Sequence, residues 1–282
     1  LFHACLSLKM ELSMMRPTSI VLTIAGSDSG GGAGIQADLK AFSALGVFGT
    51  SVITAITAQN TCAVTAVHEV PADIVAAQIE AVLSDIPVSA IKLGMLFSPE
   101  IITVVAKALA DFKGPIITDP VMIAKSGDAL LQDEAIHALS EQIVPITTLL
   151  TPNLPEAARL LGIDEATTTN AMSEQGNALL AMGSKAVLMK GGHGAGATCT
   201  DVLISTSDIG LELSAKRVQT QNTHGTGCTY SASIAAHMAQ GQSLNEAVAN
   251  AHDYLQKAIQ AADKLTIGSG HGPVHHFYEQ WK

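Results

Sequence analysis

Short apolar runs rich in β-formers alternate along the chain with longer stretches whose apolar residues recur at helical spacing. Residues 19–25 form the first run, a glycine-rich loop spans 26–34, and residues 35–45 are apolar-periodic and closed by Gly46. The spacing predicts strand, loop and helix. The pattern continues with strands over 50–58, 90–96, 116–118, 148–151 and 186–189. Helices are predicted over 72–83, 99–112, 134–144, 155–161 and 172–182. Pro155 falls in a first helical turn, where its missing N–H is tolerated. Residues 198–204 and 211–218 flank Asp208 and Gly210 and read as an antiparallel edge hairpin, after which the chain returns to helices over 227–240 and 244–262.

Up to residue 161, each strand is followed by a helix. Such βα units, joined by right-handed crossovers, stack into one mostly parallel sheet with helices on both faces. The expected fold is therefore α/β, three layers deep, with an antiparallel hairpin at one edge. No Pro/Ser-rich linker, repeat or low-complexity tract divides the chain, so a single domain is expected over residues 19–282. Residues 1–18 read as an N-terminal extension outside it. They are mildly apolar but carry Lys9 and Glu11, lack a basic start, and are too short to span a bilayer, so no targeting signal is expected.

Of 282 residues, 48% are hydrophobic, only 14% charged and 4% aromatic, so Val, Ile, Leu and Ala must fill the core, as in a buried parallel sheet. The net charge of −10 argues against nucleic acid or an anionic membrane as partner and leaves a small molecule as the expected substrate. Cys5, Cys62, Cys199 and Cys228 are far apart, without CxxC or Cys/His pairing. That spacing speaks against a zinc site or a disulfide framework and fits a reducing cytoplasm.

Candidate chemistry gathers where predicted strands end, which in such sheets is where ligands bind. Gly26-Ser27-Asp28-Ser29-Gly30-Gly31-Gly32-Ala33-Gly34 lets a ligand approach the backbone at a helix start. It lacks the Lys-Ser/Thr of a P-loop, and Asp38 follows too soon to be the ribose acid of a dinucleotide fold; a plain glycine turn is the alternative. Asn222-Thr223-His224-Gly225-Thr226-Gly227-Cys228 precedes a long helix, where consecutive amides and the helix dipole make an anion hole for a transferring phosphoryl group. Cys228 in the first turn is expected to have a lowered pKa and so to assist deprotonation of a hydroxyl, or else merely to fill a tight helix start. Asp119 and Glu156 at strand ends suit Mg²⁺ near triphosphate oxygens, and Lys190 suits phosphate neutralisation. Taken singly, each acid more often serves as a helix cap or a surface acid, and the lysine reads as an exposed loop residue.

In order, the segments AGSDSGGGAGIQADL, AQNT, KLGM, DPVM, TPNLPEA, LMKGGH, NTHGTGCT and GPVHHF resemble the hydroxymethylpyrimidine/phosphomethylpyrimidine kinases of thiamin biosynthesis, enzymes of the ribokinase-like fold. The resemblance runs from about Ile20 to the C-terminus. It implies ATP-dependent phosphorylation of 4-amino-5-hydroxymethyl-2-methylpyrimidine, first to the monophosphate and then to the diphosphate. It further implies that Gln59 bonds the aminopyrimidine edge, an amide being both donor and acceptor. Asp38, Met95 and the Gly26 and Val121 backbone would line the same pocket, although Met95 also reads as core. Gly225, Thr226, Gly227 and Cys228 would form the anion hole. Asn153, Thr223 and Lys190 would bind ATP, and Asp119 and Glu156 would hold Mg²⁺. The resemblance also implies a homodimer. Two departures stand out. Cys228 takes the position where sugar kinases place an aspartate base, and Ser29-Gly30 replaces the Pro-Ser usual in the glycine loop.

Two other readings compete. A pyridoxine/pyridoxal kinase shares the glycine loop and helix start, but Gln59-Asn60 and the segment from Met189 to His193 look like the pyrimidine form. A non-catalytic pyrimidine-binding protein would need neither an anion hole nor metal carboxylates.

Overall fold

The computed structural model describes residues 18–122, 131–194, 196–206 and 210–281. The expected N-terminal extension, apart from Thr18, and the turn at Asp208 lie outside the described residues. Nine strands, β1 (Ile20–Asp28), β2 (Phe48–Gln59), β3 (Val64–Glu69), β4 (Ala90–Leu93), β5 (Ile116–Thr118), β6 (Leu149–Leu150), β7 (Ala186–Met189), β8 (Thr198–Ser205) and β9 (Leu211–Lys216), form one sheet in the order β3-β2-β1-β4-β5-β6-β7-β8-β9. Strands β2, β1 and β4 to β7 pair in parallel, while β3, β8 and β9 join their neighbours antiparallel. The described α-helices are α1 (Gly34–Ala44), α2 (Ala72–Leu83), α3 (Pro99–Leu109), α4 (Asp133–Ala138), α5 (Leu154–Leu161), α6 (Thr169–Leu180), α7 (Thr226–Ala239) and α8 (Leu244–Gln260).

Because successive strand residues face opposite ways, each central strand feeds two cores. Leu22, Ile24, Ile91, Leu93, Leu150, Val187 and Met189 pack with α2 to α6. Val21, Ala90, Ile117, Leu149, Ala186 and Leu188 pack with α1, α7 and α8. That division is the three-layer architecture expected from the apolar runs. It also explains why an acid or a lysine on a central strand must find a partner: both faces are dry.

Three sequence expectations need correction. A helix does not follow every strand. β2 turns back into β3, whose residues are all at least partly exposed and so carry no alternating burial signal. β1 runs on through Asp28, since after a bulge Ser27 and Asp28 pair with Ile56 and Thr57, which places the first part of the glycine loop on a strand. The helix expected over 134–144 is broken into α4, a wide turn over Leu139–Ile143 and a tight one over Val144–Ile146. Pro145, which cannot donate an N–H, stands in that tight turn.

The chain passes from β1 to β2 on one side and later to β4 on the other, so the connections at the carboxyl ends of β1 and β4 diverge. The crevice this reversal leaves is where open α/β sheets hold ligands.

Candidate active site

A cavity of about 640 Å³ occupies that crevice, lined from one side by the glycine loop and from the other by the start of α7. Asp28 organises the loop. Its Oδ1 accepts from the Gly30 N–H at 2.8 Å, and its Oδ2 accepts from Gly32 at 3.0 Å and Ala33 at 2.9 Å. His224 Nε2 lies 2.9 Å from the same Oδ2. Burial pushes the carboxyl up, but the bonds from His224, Ala33 and Gly30 outweigh it and hold Asp28 below the usual carboxylate range. At the non-standard Ser29, the hydroxyl donates to Gln59 O at 2.7 Å and accepts from Gln59 N at 2.8 Å. The serine thus ties the loop to the end of β2, giving it the restraint a proline would otherwise supply.

The opposite wall begins at Gly225, the residue before α7, which has φ +76°. A side chain there would be strained and would also run into the Gly32 carbonyl, so the two glycine segments touch backbone to backbone. The Thr226 N–H at the head of α7 donates to Thr223 O at 3.3 Å, whereas Gly227 and Cys228 border the cavity in the first turn, whose amides have no partner within the helix and where the positive end of the helix dipole favours an anion. A Cβ on Gly227 would lie 3.2 Å from Lys190 Nζ and 3.3 Å from Asp119 Oδ2. Lys190 and Asp119, delivered by the ends of β7 and β5, pair at 2.7 Å. Burial would lower the Lys190 pKa, but Asp119 and Glu156 outweigh it and hold the ammonium above its ordinary value. Glu156 closes a capping box on α5, accepting from Asn153 N at 2.8 Å while Asn153 Oδ1 accepts from Glu156 N at 2.9 Å. Burial, reinforced by Asp119 and opposed by Lys190, pushes its carboxyl up to about 7.

Deeper in, Lys92 Nζ lies 2.9 Å from Asp38 Oδ2, and both side chains are 0% exposed. Thr23 Oγ1 donates to the same oxygen at 2.6 Å. Although burial works to lower its pKa, Lys92 is held above the ordinary lysine value by Asp38, with Cys228 and Asp119 adding to the effect. The expected low pKa of Cys228 is not borne out: burial, with Asp38 and Asp119 adding, pushes the thiol up to about 11 against the pull of Lys92 and the Gly34 amide. Burial first, with the two nearby carboxylates, outweighs the pull of Lys92 and of the helix start.

At the outer end, Arg217 clamps the segment after Lys190. Its Nε donates to Gly196 O at 2.8 Å, Nη1 to Gly192 O at 2.8 Å and Nη2 to Gly194 O at 2.6 Å. From beneath, Asp201 Oδ1 accepts from Gly191 N at 2.8 Å. Val218, Leu255 and Ile259 give this end of the cavity an apolar wall.

Gly26, Gln59, Met95, Val121, Asp119, Asn153, Glu156, Lys190, Thr223 and Gly225 to Cys228 all line this one cavity. Asp38 does not: it is fully buried, and it reaches the wall through Lys92. Met95 is 7% exposed and packs over Gly26, so it serves core and pocket together. Sequence reading missed Lys92, Asp28, His224 and Arg217. Lys92 left a signal, a lone charge between Ile91 and Leu93 on a strand buried on both faces.

A helix start, a glycine loop and an acid–lysine pair around one pocket are the arrangement of a small-molecule kinase of the α/β type. The family model for phosphomethylpyrimidine kinase matches residues 28–275. The chain belongs to that family. It is 54% identical over 265 residues to the hydroxymethylpyrimidine/phosphomethylpyrimidine kinase of Rhizobium meliloti, covering 94% of this chain and 99% of the relative. Against the enzyme of the same name from Escherichia coli it is 48% identical, covering 92% and 98%. Among solved structures, the phosphomethylpyrimidine kinase of Clostridium difficile matches with a TM-score of 0.75 at 44% identity, covering 85% of this chain and 99% of that one. A pyridoxal kinase from Bacillus subtilis, solved as an ADP complex, matches with a TM-score of 0.86 at 35% identity, covering 94% and 100%. Backbone likeness thus extends to both kinds of vitamin kinase, and the higher sequence identity lies with the pyrimidine kinases.

Proposed function

We propose that this kinase transfers the γ-phosphoryl group of ATP to the 5-hydroxymethyl oxygen of 4-amino-5-hydroxymethyl-2-methylpyrimidine, and then a second phosphoryl group to the resulting monophosphate. Residues 19–282 act as one catalytic domain. The observation that carries this reading is the convergence of the α7 amides and the Asp119–Lys190 pair on the cavity that also holds Gln59 and Met95. In each cycle an acceptor oxygen attacks the γ-phosphorus, the bond to the β–γ bridging oxygen breaks, ADP leaves, and the proton of the hydroxymethyl group passes to a phosphate oxygen or to water. Phosphoryl transfer depends chiefly on positioning and on neutralising charge at the equatorial oxygens. The amides of Gly225 to Cys228 face those oxygens, Thr226 helps shape that turn, and Lys190 meets the triphosphate. Asn153 and Thr223 border the nucleotide, whose base rests on Val218, Leu255 and Ile259. Gln59 and the Gly26 and Val121 backbone hold the pyrimidine edge, Met95 covers its face, and Asp38 acts through Lys92. Because Cys228 keeps its proton at neutral pH, it contacts and orients the acceptor hydroxyl without being a resting thiolate base.

Among the described residues no group of three or more His, Cys, Asp or Glu could hold a metal by itself. Asp119 and Glu156 nevertheless fit Mg²⁺, which takes one or two carboxylates and completes its shell with water and substrate phosphates. Bound there with ATP, the ion would neutralise charge on the triphosphate. We further propose a cytoplasmic homodimer. Free Cys62, Cys199 and Cys228 suit a reducing compartment, and no helix among the described residues is long and apolar enough to cross a membrane. Phe48 and Ile56, 57% and 50% exposed on β2, offer the apolar surface for self-association.

The test is a coupled ATP assay run in parallel with hydroxymethylpyrimidine, its monophosphate and pyridoxal, with product masses measured. Mono- and diphosphate products from the first two are expected. ATP consumption with pyridoxal alone, or with none of the three, would overturn the proposal.

A further inference from the structure

His224 belongs to a motif whose proposed chemistry leaves the imidazole without a role, yet the residue is 8% exposed and its ring sits between two parts of the site. A Cβ on Gly32 would collide with it, so the loop needs glycine to admit the ring. Asp28 already accepts three backbone N–H groups, which makes it an acceptor toward His224 as well. The His224 Nε2, 2.9 Å from Asp28 Oδ2, therefore carries hydrogen and has no lone pair to offer. On its other side stands the Gln59 amide, placed with its Nε2 3.3 Å from the same His224 Nε2 and its Oε1 3.1 Å from Thr57 Oγ1. The single Thr57 hydroxyl hydrogen has a closer acceptor in Ser27 O at 2.9 Å.

The two ends of an amide have the same shape, so the surrounding network decides which atom goes where. With its hydrogen on Asp28, the His224 Nε2 offers no lone pair to an amide N–H, so the NH₂ has no acceptor on that side and oxygen is the better neighbour. A hydroxyl that spends its hydrogen on Ser27 demands an N–H from the amide. Both neighbours favour the same orientation, with the amide turned over from that placement. We infer that His224, fixed by Asp28, is a positioning residue that turns the Gln59 amide oxygen toward itself and the NH₂ toward Thr57, presenting the second N–H to the ring of the substrate. A ring nitrogen with a lone pair is the acceptor this arrangement selects. The inference rests on the proposal that Gln59 meets the pyrimidine, but its geometry can be tested without any substrate.

The free enzyme, labelled with ¹⁵N, is examined by NMR. Long-range ¹⁵N–¹H correlations should show hydrogen on Nε2 of His224, and the Gln59 side-chain NH₂ should give cross-relaxation to the Thr57 methyl. A bare Nε2, or NH₂ cross-relaxation to the His224 ring in place of Thr57, overturns the inference. For kinetics, His224→Asn should raise KM for hydroxymethylpyrimidine about tenfold, the scale of one hydrogen bond, with KM for ATP within about twofold. Equal rises in both would mark His224 as a general support of the fold and refute the positioning role. Should the NMR result hold while no pyrimidine is phosphorylated, the amide assignment stands and the substrate proposal alone fails.

Discussion

Replacing Lys92 with methionine tests what the buried ion pair contributes. Methionine retains most of the stem and removes the charge, leaving Asp38, 0% exposed, with the Thr23 hydroxyl at 2.6 Å. Its Oδ1 already lacks a hydrogen-bond partner. Two routes are open to the carboxyl, and their costs agree. If it stays ionised, breaking a buried pair costs about 3–5 kcal/mol. If it takes up a proton at pH 7, starting from an ordinary pKa of about 3.9, the cost is about 1.36 × 3.1, or roughly 4 kcal/mol. A loss of about 4 kcal/mol at pH 7 is therefore expected, read by urea denaturation as a lower midpoint at unchanged slope. In the variant, the folded-state pKa of Asp38 lies above the unfolded one. Its proton uptake stabilises the fold at low pH and that gain is lost as pH rises, so the deficit should shrink by about 1.4 kcal/mol per unit from pH 7 toward pH 5. Adding Asp38→Leu should restore most of the stability, because apolar replacement of both partners removes the unpaired charge. A loss below about 1 kcal/mol, or a double variant no more stable than Lys92→Met, would refute the reasoning.

Gly225→Ala places a side chain at φ +76° and against the Gly32 carbonyl, and should cut kcat about 100-fold by displacing the α7 amides, while circular dichroism stays near that of the parent. A kcat within threefold of the parent would count against the backbone contact. Arg217→Ala releases the carbonyls of Gly192, Gly194 and Gly196 and should raise KM for ATP about tenfold with little effect on the pyrimidine; isothermal titration of each ligand separates the two. Asp28 has a lowered folded-state pKa, so its stabilisation is present above its ordinary value of 3.8 and is lost as pH falls through the folded one. Asp28→Asn should thus be less stable than the parent at pH 7, with the gap closing below about pH 4 in acid unfolding monitored by fluorescence.

What the sequence disclosed and what it hid follow from the range of the forces involved. The strands of the parallel core are apolar on both faces, so their signal is local and strong, and the segment proposed as the anion hole is contiguous, from Asn222 to Cys228. The edge strand β3 is exposed and borrows its order from β2, leaving no periodicity to read. The missed site residues depend on pairings across the chain: Lys92 with Asp38 over 54 positions, and His224 with Asp28 over 196. The Cys228 error has the same origin. A helix start lowers a thiol pKa locally, but Asp38 and Asp119 reach Cys228 only through the fold, and burial acts with them. Sequence position therefore shows which groups can bear charge, and the packing of α1 against α7 over the ends of β1, β4 and β5 decides which of them do. Asp38 shows the consequence: its motif placed it at the substrate, whereas the fold sets it behind Lys92, which lines the cavity in its stead and pairs with it at 2.9 Å.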